Sequence, residues 1–350
     1  VERATTTRHL SPETQPAGCA AATTQVPALN VPEAGTPMRV AFIGGHGRSG
    51  STLLGRLLGS VDGVFSAGEV CYVWEQGVLR DWICSCGEPF SRCDFWQAVG
   101  QEAFGGWTTD VAERGLALRK LVDRNRYVPK LLAPGAFPGY ARAEREYAQM
   151  YSAVHRGIAR ASGARVVVDT SKTPSTGYLL RRIPQVDLRV VHLVRDVHGV
   201  AYSWAKKVPR ADRDGALMTR LSHRRTALEW TAFNALVEGL GLLGEPRLLL
   251  RYEDLVAAPE TRLRDVLGFV GEGLLPAEPG LGFLEADTVT LARGHEVTGN
   301  PMRLQGGAIQ LRLDQEWRRA MPRSQRRAIT TAAAPGLVRY GYLGRSGVDR

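Results

Sequence analysis

The sequence predicts an α/β fold with three layers: a central, mostly parallel sheet, helices on both of its faces, and a helical insertion. Three observations carry this. Short apolar runs of the buried-strand type occur at 38–43, 166–168, 188–194 and 248–250. Each leads into a segment with helical spacing. The first run stops at glycines, IGGHGRSGSTLL over 43–54, a loop of the kind that cradles phosphates, which makes the fold P-loop-like.

Taken in order, residues 1–37 are Thr-, Ala- and Pro-rich without an apolar period and predict a flexible tail, leaving 38–350 as a single domain. After the strand at 38–43 and its loop, Leu53, Leu54, Leu57 and Leu58 fall on one helical face. Residues 70–162 carry Trp74, Trp82, Trp96 and Trp107, a helical pattern over 139–162 and no second run of buried strands. They predict a helical insertion placed to roof the loop. The strand at 166–168 leads into a helix at about 173–182, and that at 188–194 into one at about 197–207. The strand at 248–250 leads into a helix at about 260–270, which starts after Pro259. Strands alternating with helices imply parallel pairing with both faces covered.

The glycine loop satisfies more than one rule. Gly45, Gly47 and Gly50 fit G-x-G-x-x-G, the dinucleotide fingerprint, and Glu69 stands 19 positions beyond Gly50, where such a site wants a ribose-binding acid. The stretch is also close to the triphosphate loop G-x-x-x-x-G-K-[ST], yet Ser51 occupies the lysine position and the available cation is Arg48, inside the loop. No strand end supplies an obvious Mg²⁺-holding Asp, since 191–194 runs into Arg195 before Asp196. Ser51 and Thr52 place two hydroxyls in the first helical turn, beside free backbone N–H groups. The loop suits a phosphate next to a group that Arg48 can touch.

A second anion site lies far away in sequence. VVHLVRDVHGVAYSW puts Arg195 at a strand end and Ser203 eight residues later, about two turns along the following helix. An Arg fork and a Ser hydroxyl would face one ligand.

On these residues the chain resembles the sulfotransferases that use 3′-phosphoadenosine 5′-phosphosulfate (PAPS). Arg48-Ser49-Gly50-Ser51-Thr52 is similar to their 5′-phosphosulfate loop, and Arg195 with Ser203 to their 3′-phosphate motif. Arg in the loop, in place of Lys, looks most like the bacterial, carbohydrate and tyrosylprotein groups. RYEDL at 251–255 resembles the element whose Tyr, here Tyr252, lies against adenine; GNPMR at 299–303 stands where the family's C-terminal loop closes on the 3′-phosphate, which implies Asn300 and Arg303 as ligands. The likeness spans about 38–343. It implies sulfuryl transfer from PAPS to a hydroxyl of a small-molecule or carbohydrate acceptor by in-line displacement, with PAP as product, no metal, and the insertion at 70–162 on the acceptor side. Arg48 and Lys172 are then the cations for charge growing on the leaving oxygen, and Glu69 the base for the acceptor. His46 is a lesser candidate base. Asp169 and Asp196 are expected to cap helices or hold arginines.

Bulk properties bound the alternatives. A hydrophobic share of 44% over 350 residues suits an ordinary globule, and no apolar run is long enough for a membrane span. The formal charge of +10 invites a nucleic-acid-binding reading, but the basic residues are scattered and mostly Arg, so no nucleic-acid partner is expected. A P-loop kinase or NTPase is the chief rival enzyme. Cys84, Cys86 and Cys93 cluster in CSCGEPFSRCDFW without the paired spacing of a zinc ribbon, which favours a structural loop with a redox-sensitive pair over a metal. PAPS is made inside cells and no export signal is evident, so a cytoplasmic enzyme is expected. Neither the acceptor's identity nor the oligomeric state is readable.

Overall fold

The structure, a computed structural model, describes residues 37–207 and 219–343; the tail expected over 1–37 lies outside them apart from Pro37. Each expected strand is present: β1 (Met38–Gly44), β3 (Val166–Lys172), β4 (Val186–Val194) and β5 (Arg247–Arg251), joined by a short β2 (Val64–Ser66). They form one parallel sheet in the order β2-β3-β1-β4-β5. Alternation of side chains divides its apolar residues between two cores. Val40, Phe42, Val167 and Val190 face one side; Ala41, Ile43, Val168, Val191 and Leu193 face the other.

The helices expected from apolar spacing occur in their places, joined by others, at 223–242, 252–257, 317–320 and 323–339, that the spacing did not show. α1 (Ser51–Leu58) buries its leucines on the second face. The insertion supplies α2 (Asp94–Phe104), α3 (Thr109–Val122), α4 (Val128–Leu132) and α5 (Pro138–Ser162). Trp74, Trp96, Tyr147 and Tyr151 from this stretch share a core with Phe42, so most of the tryptophan content fills the first face; Trp82 alone of the four expected rings lines the cleft described below. α6 (Pro174–Leu180) follows β3, and α7 (Val197–Ala205) follows β4. α8 (His223–Leu242) precedes β5; α9 (Tyr252–Ala257) and α10 (Pro259–Val270) follow it. A small antiparallel sheet of β6 (Leu284–Glu285), β7 (Thr288–Leu291) and β8 (Gly307–Gln310) comes next, then α11 (Trp317–Ala320) and α12 (Arg323–Arg339). The apolar pattern gave no sign of β2 or of β6 to β8, because strands of two to four residues are too short to show a period.

One buried polar group pins the sheet. His192, on β4, has no exposed surface; its Nε2–H donates to Asn234 Oδ1 at 2.9 Å, while Nδ1 accepts from Arg247 Nη1 at 3.1 Å. The second bond needs the neutral ring, since a protonated Nδ1 cannot accept. Burial, aided by the Arg247 charge, lowers its pKa from 6.5 to about 4. The unfolded chain therefore binds the extra proton at a higher pH than the fold does, and stability drops as pH falls through that window. Urea unfolding at pH 7 and pH 4 is expected to differ by about 3 kcal/mol from this ring alone, and His192→Asn, less stable overall, should flatten that slope.

Candidate active site

The glycine loop, Lys172, Arg195 and Tyr252 all leave the carboxyl edge of the parallel sheet, the position where open α/β sheets hold ligands. β1 ends at Gly44, and the loop turns back through Gly45 and Gly50, both at positive φ (146° and 95°). Neither tolerates a side chain. A Cβ on Gly45 would lie 2.3 Å from the Leu193 carbonyl oxygen, and one on Gly50 2.4 Å from the Tyr252 ring. Gly50 is also the N-cap of α1 and offers no side-chain cap, so the first N–H groups of that helix are left for a ligand. Arg48 adopts φ 70° and sets its guanidinium over the Trp204 ring, 5.1 Å from the centroid.

At the end of β4, Arg195 binds this loop. Its Nη1 donates to the Arg48 carbonyl oxygen at 3.2 Å and its Nη2 to the Asp314 carbonyl oxygen at 3.2 Å. The guanidinium lies 4.7 Å from the Tyr252 ring centroid, and the Asp314 carboxylate is 3.5 Å away. Asp196 caps α7, as expected, accepting from His198 N at 2.9 Å.

At the end of β3 the register against β1 slips: Phe42 pairs with Asp169, but Gly44 pairs with Lys172. This bulge, with Lys172 at φ 64°, re-aims the lysine into the cleft. There Lys172 Nζ donates to Glu69 Oε1, and at 3.1 Å to the Thr170 carbonyl oxygen. Asp169 departs from expectation. It is fully buried and accepts from Tyr151 Oη (2.7 Å), Ser171 N (2.8 Å) and His155 Nε2 (3.2 Å), so it is neither a helix cap nor an arginine partner. It fixes the backbone two residues before the bulge.

A strap over 292–305 closes the far side. Arg56, from α1, donates to the carbonyl oxygens of Ala292 (3.1 Å) and Met302 (2.8 Å), and Thr298 Oγ1 donates to the Glu69 carbonyl oxygen at 3.1 Å. Asn300 accepts from Met302 N at 3.0 Å, and its own N–H sits 3.5 Å from Thr52 Oγ1.

The result is one cleft of about 750 Å³, within the size range of small-ligand sites. Arg48, Gly50, Ser51, Thr52, Glu69, Lys172, Arg195, Ser203, Tyr252 and Asn300 all line it. Two expected ligands do not. Ser49 is buried in the loop and Arg303 lies fully buried beneath the strap, with Nη1 3.5 Å from the Glu296 carbonyl oxygen. His46 does reach the cleft. Its Nδ1–H donates to the Gly47 carbonyl oxygen at 3.0 Å, Nε2 lies 3.7 Å from Glu229, and burial lowers its pKa. Sequence reasoning missed Trp204 and Asp314. Trp204 directly follows Ser203 and could have been found there; Asp314 binds through long-range packing and has no local signal.

The family profile described as "Sulfotransferase family" matches residues 41–274, two thirds of the chain, including the loop, Arg195, Ser203 and Tyr252. The chain belongs to the sulfotransferase family. Among solved structures, this sulfotransferase is 22% identical to the sulfotransferase domain of the Synechococcus PCC 7002 olefin synthase, over 87% of this chain and 96% of that one, with a TM-score of 0.45. A sulfotransferase domain from the curacin biosynthetic pathway is 19% identical over 85% and 98%, TM-score 0.44. Sulfotransferase STF1 from Mycobacterium tuberculosis H37Rv is 16% identical over 71% and 73%, TM-score 0.35. A search of curated proteins gives no match. Among the described residues no helix is long and apolar enough to cross a membrane.

For this sulfotransferase, Gly50→Ala is expected to lower unfolding free energy by about 1–3 kcal/mol, through strain at positive φ and the clash with Tyr252. Gly139→Ala, where a Cβ meets nothing, should leave the urea midpoint within error.

Proposed function

We propose that this sulfotransferase takes the sulfuryl group from PAPS and passes it to a hydroxyl of a small-molecule or carbohydrate acceptor, with Glu69 as base. The observation that carries this reading is convergence: the loop cation Arg48, the strand-end Arg195 with Ser203, and the Glu69–Lys172 pair all open on one cleft. The residues fit a donor with two anionic ends. Gly50 starts α1 without a side-chain cap, so the first N–H groups of that helix, with the Ser51 and Thr52 hydroxyls beside them, are available to phosphate oxygens. Arg195 and Ser203 supply the second anion site, and the Tyr252 ring a face for a base.

PAPS supplies the sulfuryl group, and its leaving oxygen belongs to a phosphate, so no acid is required. The protein's part is to position and to stabilise charge. Arg48 and Lys172 flank the place where negative charge grows, with Lys172 leaving Glu69 for the departing oxygen as the acceptor arrives. Glu69 then has its carboxylate open to take the acceptor's proton as the acceptor oxygen attacks sulfur in line. Residues 70–162 contribute Tyr72, Gln76, Arg80 and Trp82 to the cleft wall, which supports reading them as an acceptor-side insertion within a single domain proposed over 38–350. Asn300 adds a strap contact at the donor, while Arg303 acts from beneath, by holding the strap.

Adenosine 3′,5′-bisphosphate without Mg²⁺ is expected to raise Tm, with Mg-ATP giving no comparable shift; the reverse order would point to a kinase and end this reading. Glu69→Gln should leave the Kd for the bisphosphate within a few-fold and cut kcat by about 10²–10⁴, measured with a labelled donor and an acceptor panel. Full turnover by that variant removes Glu69 as base. Arg48→Ala should lower kcat by about 10²–10³ with little change in KM, whereas Arg195→Ala should raise the Kd for the bisphosphate at least about tenfold.

A further inference from the structure

Away from the cleft's reacting groups, the fold assembles Cys84, Cys86, Cys93 and His295, with one ligand atom from each and all four atoms within 4.8 Å of one another. We propose that these four side chains bind one zinc ion in a closed structural site. The sequence alone favoured a metal-free loop, because the C-x-C spacing is not that of a ribbon and the fourth ligand it offered was Asp94; His295 lies about 200 positions from the thiols.

The distances carry the proposal. Zn–S bonds of about 2.3 Å and Zn–N bonds of about 2.0–2.1 Å at tetrahedral angles put sulfur atoms about 3.8 Å apart, and sulfur about 3.6 Å from nitrogen. Cys93 Sγ lies 3.7 Å from both Cys84 Sγ and Cys86 Sγ. His295 Nδ1 lies 3.3 Å from Cys93 Sγ and 3.9 Å from Cys84 Sγ. All four cysteines among the described residues are free thiols, and Cys84 and Cys93 are buried.

Local structure aims these atoms. Ile83 and Pro89 pair across a tight turn in which Cys84 N donates to the Glu88 carbonyl oxygen and Gly87, at φ 107°, donates to that of Cys84. Such a knuckle turns both sulfurs of C-x-C to one side. Cys93 is the N-cap of α2, where the helix start favours a thiolate. The His295 ring stacks on Phe95, with centroids 4.8 Å apart, and its carbonyl oxygen accepts from Trp96 Nε1 at 2.7 Å. Three sulfurs and one imidazole, with no fourth position left for water, are the donor set of a structural zinc rather than a catalytic one. Binding displaces the thiol protons to solvent and leaves Zn²⁺ held by three thiolates and a neutral imidazole. The ion would fasten the turn at 83–93 to the strap that carries Gly299 and Asn300 into the cleft.

The test uses the full chain, purified without chelators from zinc-supplemented medium. Elemental analysis is expected to find about one zinc per chain. Cobalt put in its place should give the intense visible bands and sulfur-to-metal charge transfer of a tetrahedral thiolate site. Cys86→Ser and His295→Ala should each weaken metal retention at least about tenfold in competition with a chromogenic chelator, while Cys71→Ser, outside the cluster, leaves it unchanged. Should the variants not fold, the wild-type zinc content and cobalt spectrum decide. A wild-type protein without zinc that also fails to develop the cobalt bands overturns the site, as does a mass short by two hydrogens under non-reducing conditions, which would mean a disulfide in its place.

Discussion

The Arg195 guanidinium is the contact on which the rest of the cleft depends. It sits at the end of the strand next to β1, and reaches the loop backbone at Arg48, the Asp314 segment and the Tyr252 ring together. A planar fork can do this because its donors are fixed in direction and its face is free to stack. Gly50 makes it possible, since only the absence of a Cβ lets Tyr252 come up against the loop. The loop, Tyr252 and the Asp314 segment are thus held together by contacts within the protein itself.

A second constraint operates at β3. The bulge that turns Lys172 inward is supported by Asp169, whose buried carboxylate is held ionised by His155, Ser171 and Tyr151 against the penalty of burial. Lys172 then has Glu69 as its nearest anion. Removing either member would leave the other as a partly buried, uncompensated charge, so a loss of activity alone cannot assign a chemical role to one of them. An isosteric amide, which keeps the hydrogen bond, is the more informative change at Glu69.

Much of the cleft's lining was legible because the patterns that place it are local in sequence. A strand, a glycine turn and a helix start need adjacent residues, and Arg195 and Ser203 need only one strand and two helical turns. The sheet's central strands were legible for the same reason, each being a short, mostly apolar run. What sequence did not show is what long-range packing decides. β2 has three residues, and its place at the sheet edge follows from pairing with β3. Arg303 reads as a ligand by its position after Gly299, yet its side chain turns under the strap. Asp169 looks like a cap and is instead the centre of a buried hydrogen-bond network.

The strap at 292–305 shows why those long-range contacts matter for function. Apart from one short helical turn at Pro301–Leu304 it has no regular structure, so its carbonyl oxygens need partners that the strap itself does not supply. Arg56, from α1, the helix whose start faces the cleft, binds three of them, those of Ala292, Met302 and Gln305. Ser85, beside the thiol cluster, exchanges bonds with the Glu296 backbone in both directions, at 2.9 and 2.8 Å. Ser66, from β2, donates to the buried Glu296 carboxyl at 2.9 Å, and that carboxyl's pKa is pushed up to about 7 by burial. The strap is therefore anchored to the sheet edge, to α1 and to the insertion together. A change at any anchor would be felt at Gly299 and Asn300, where the strap meets Thr52 and Glu69, so the glycine-loop side and the Glu69 side of the cleft share one mechanical support.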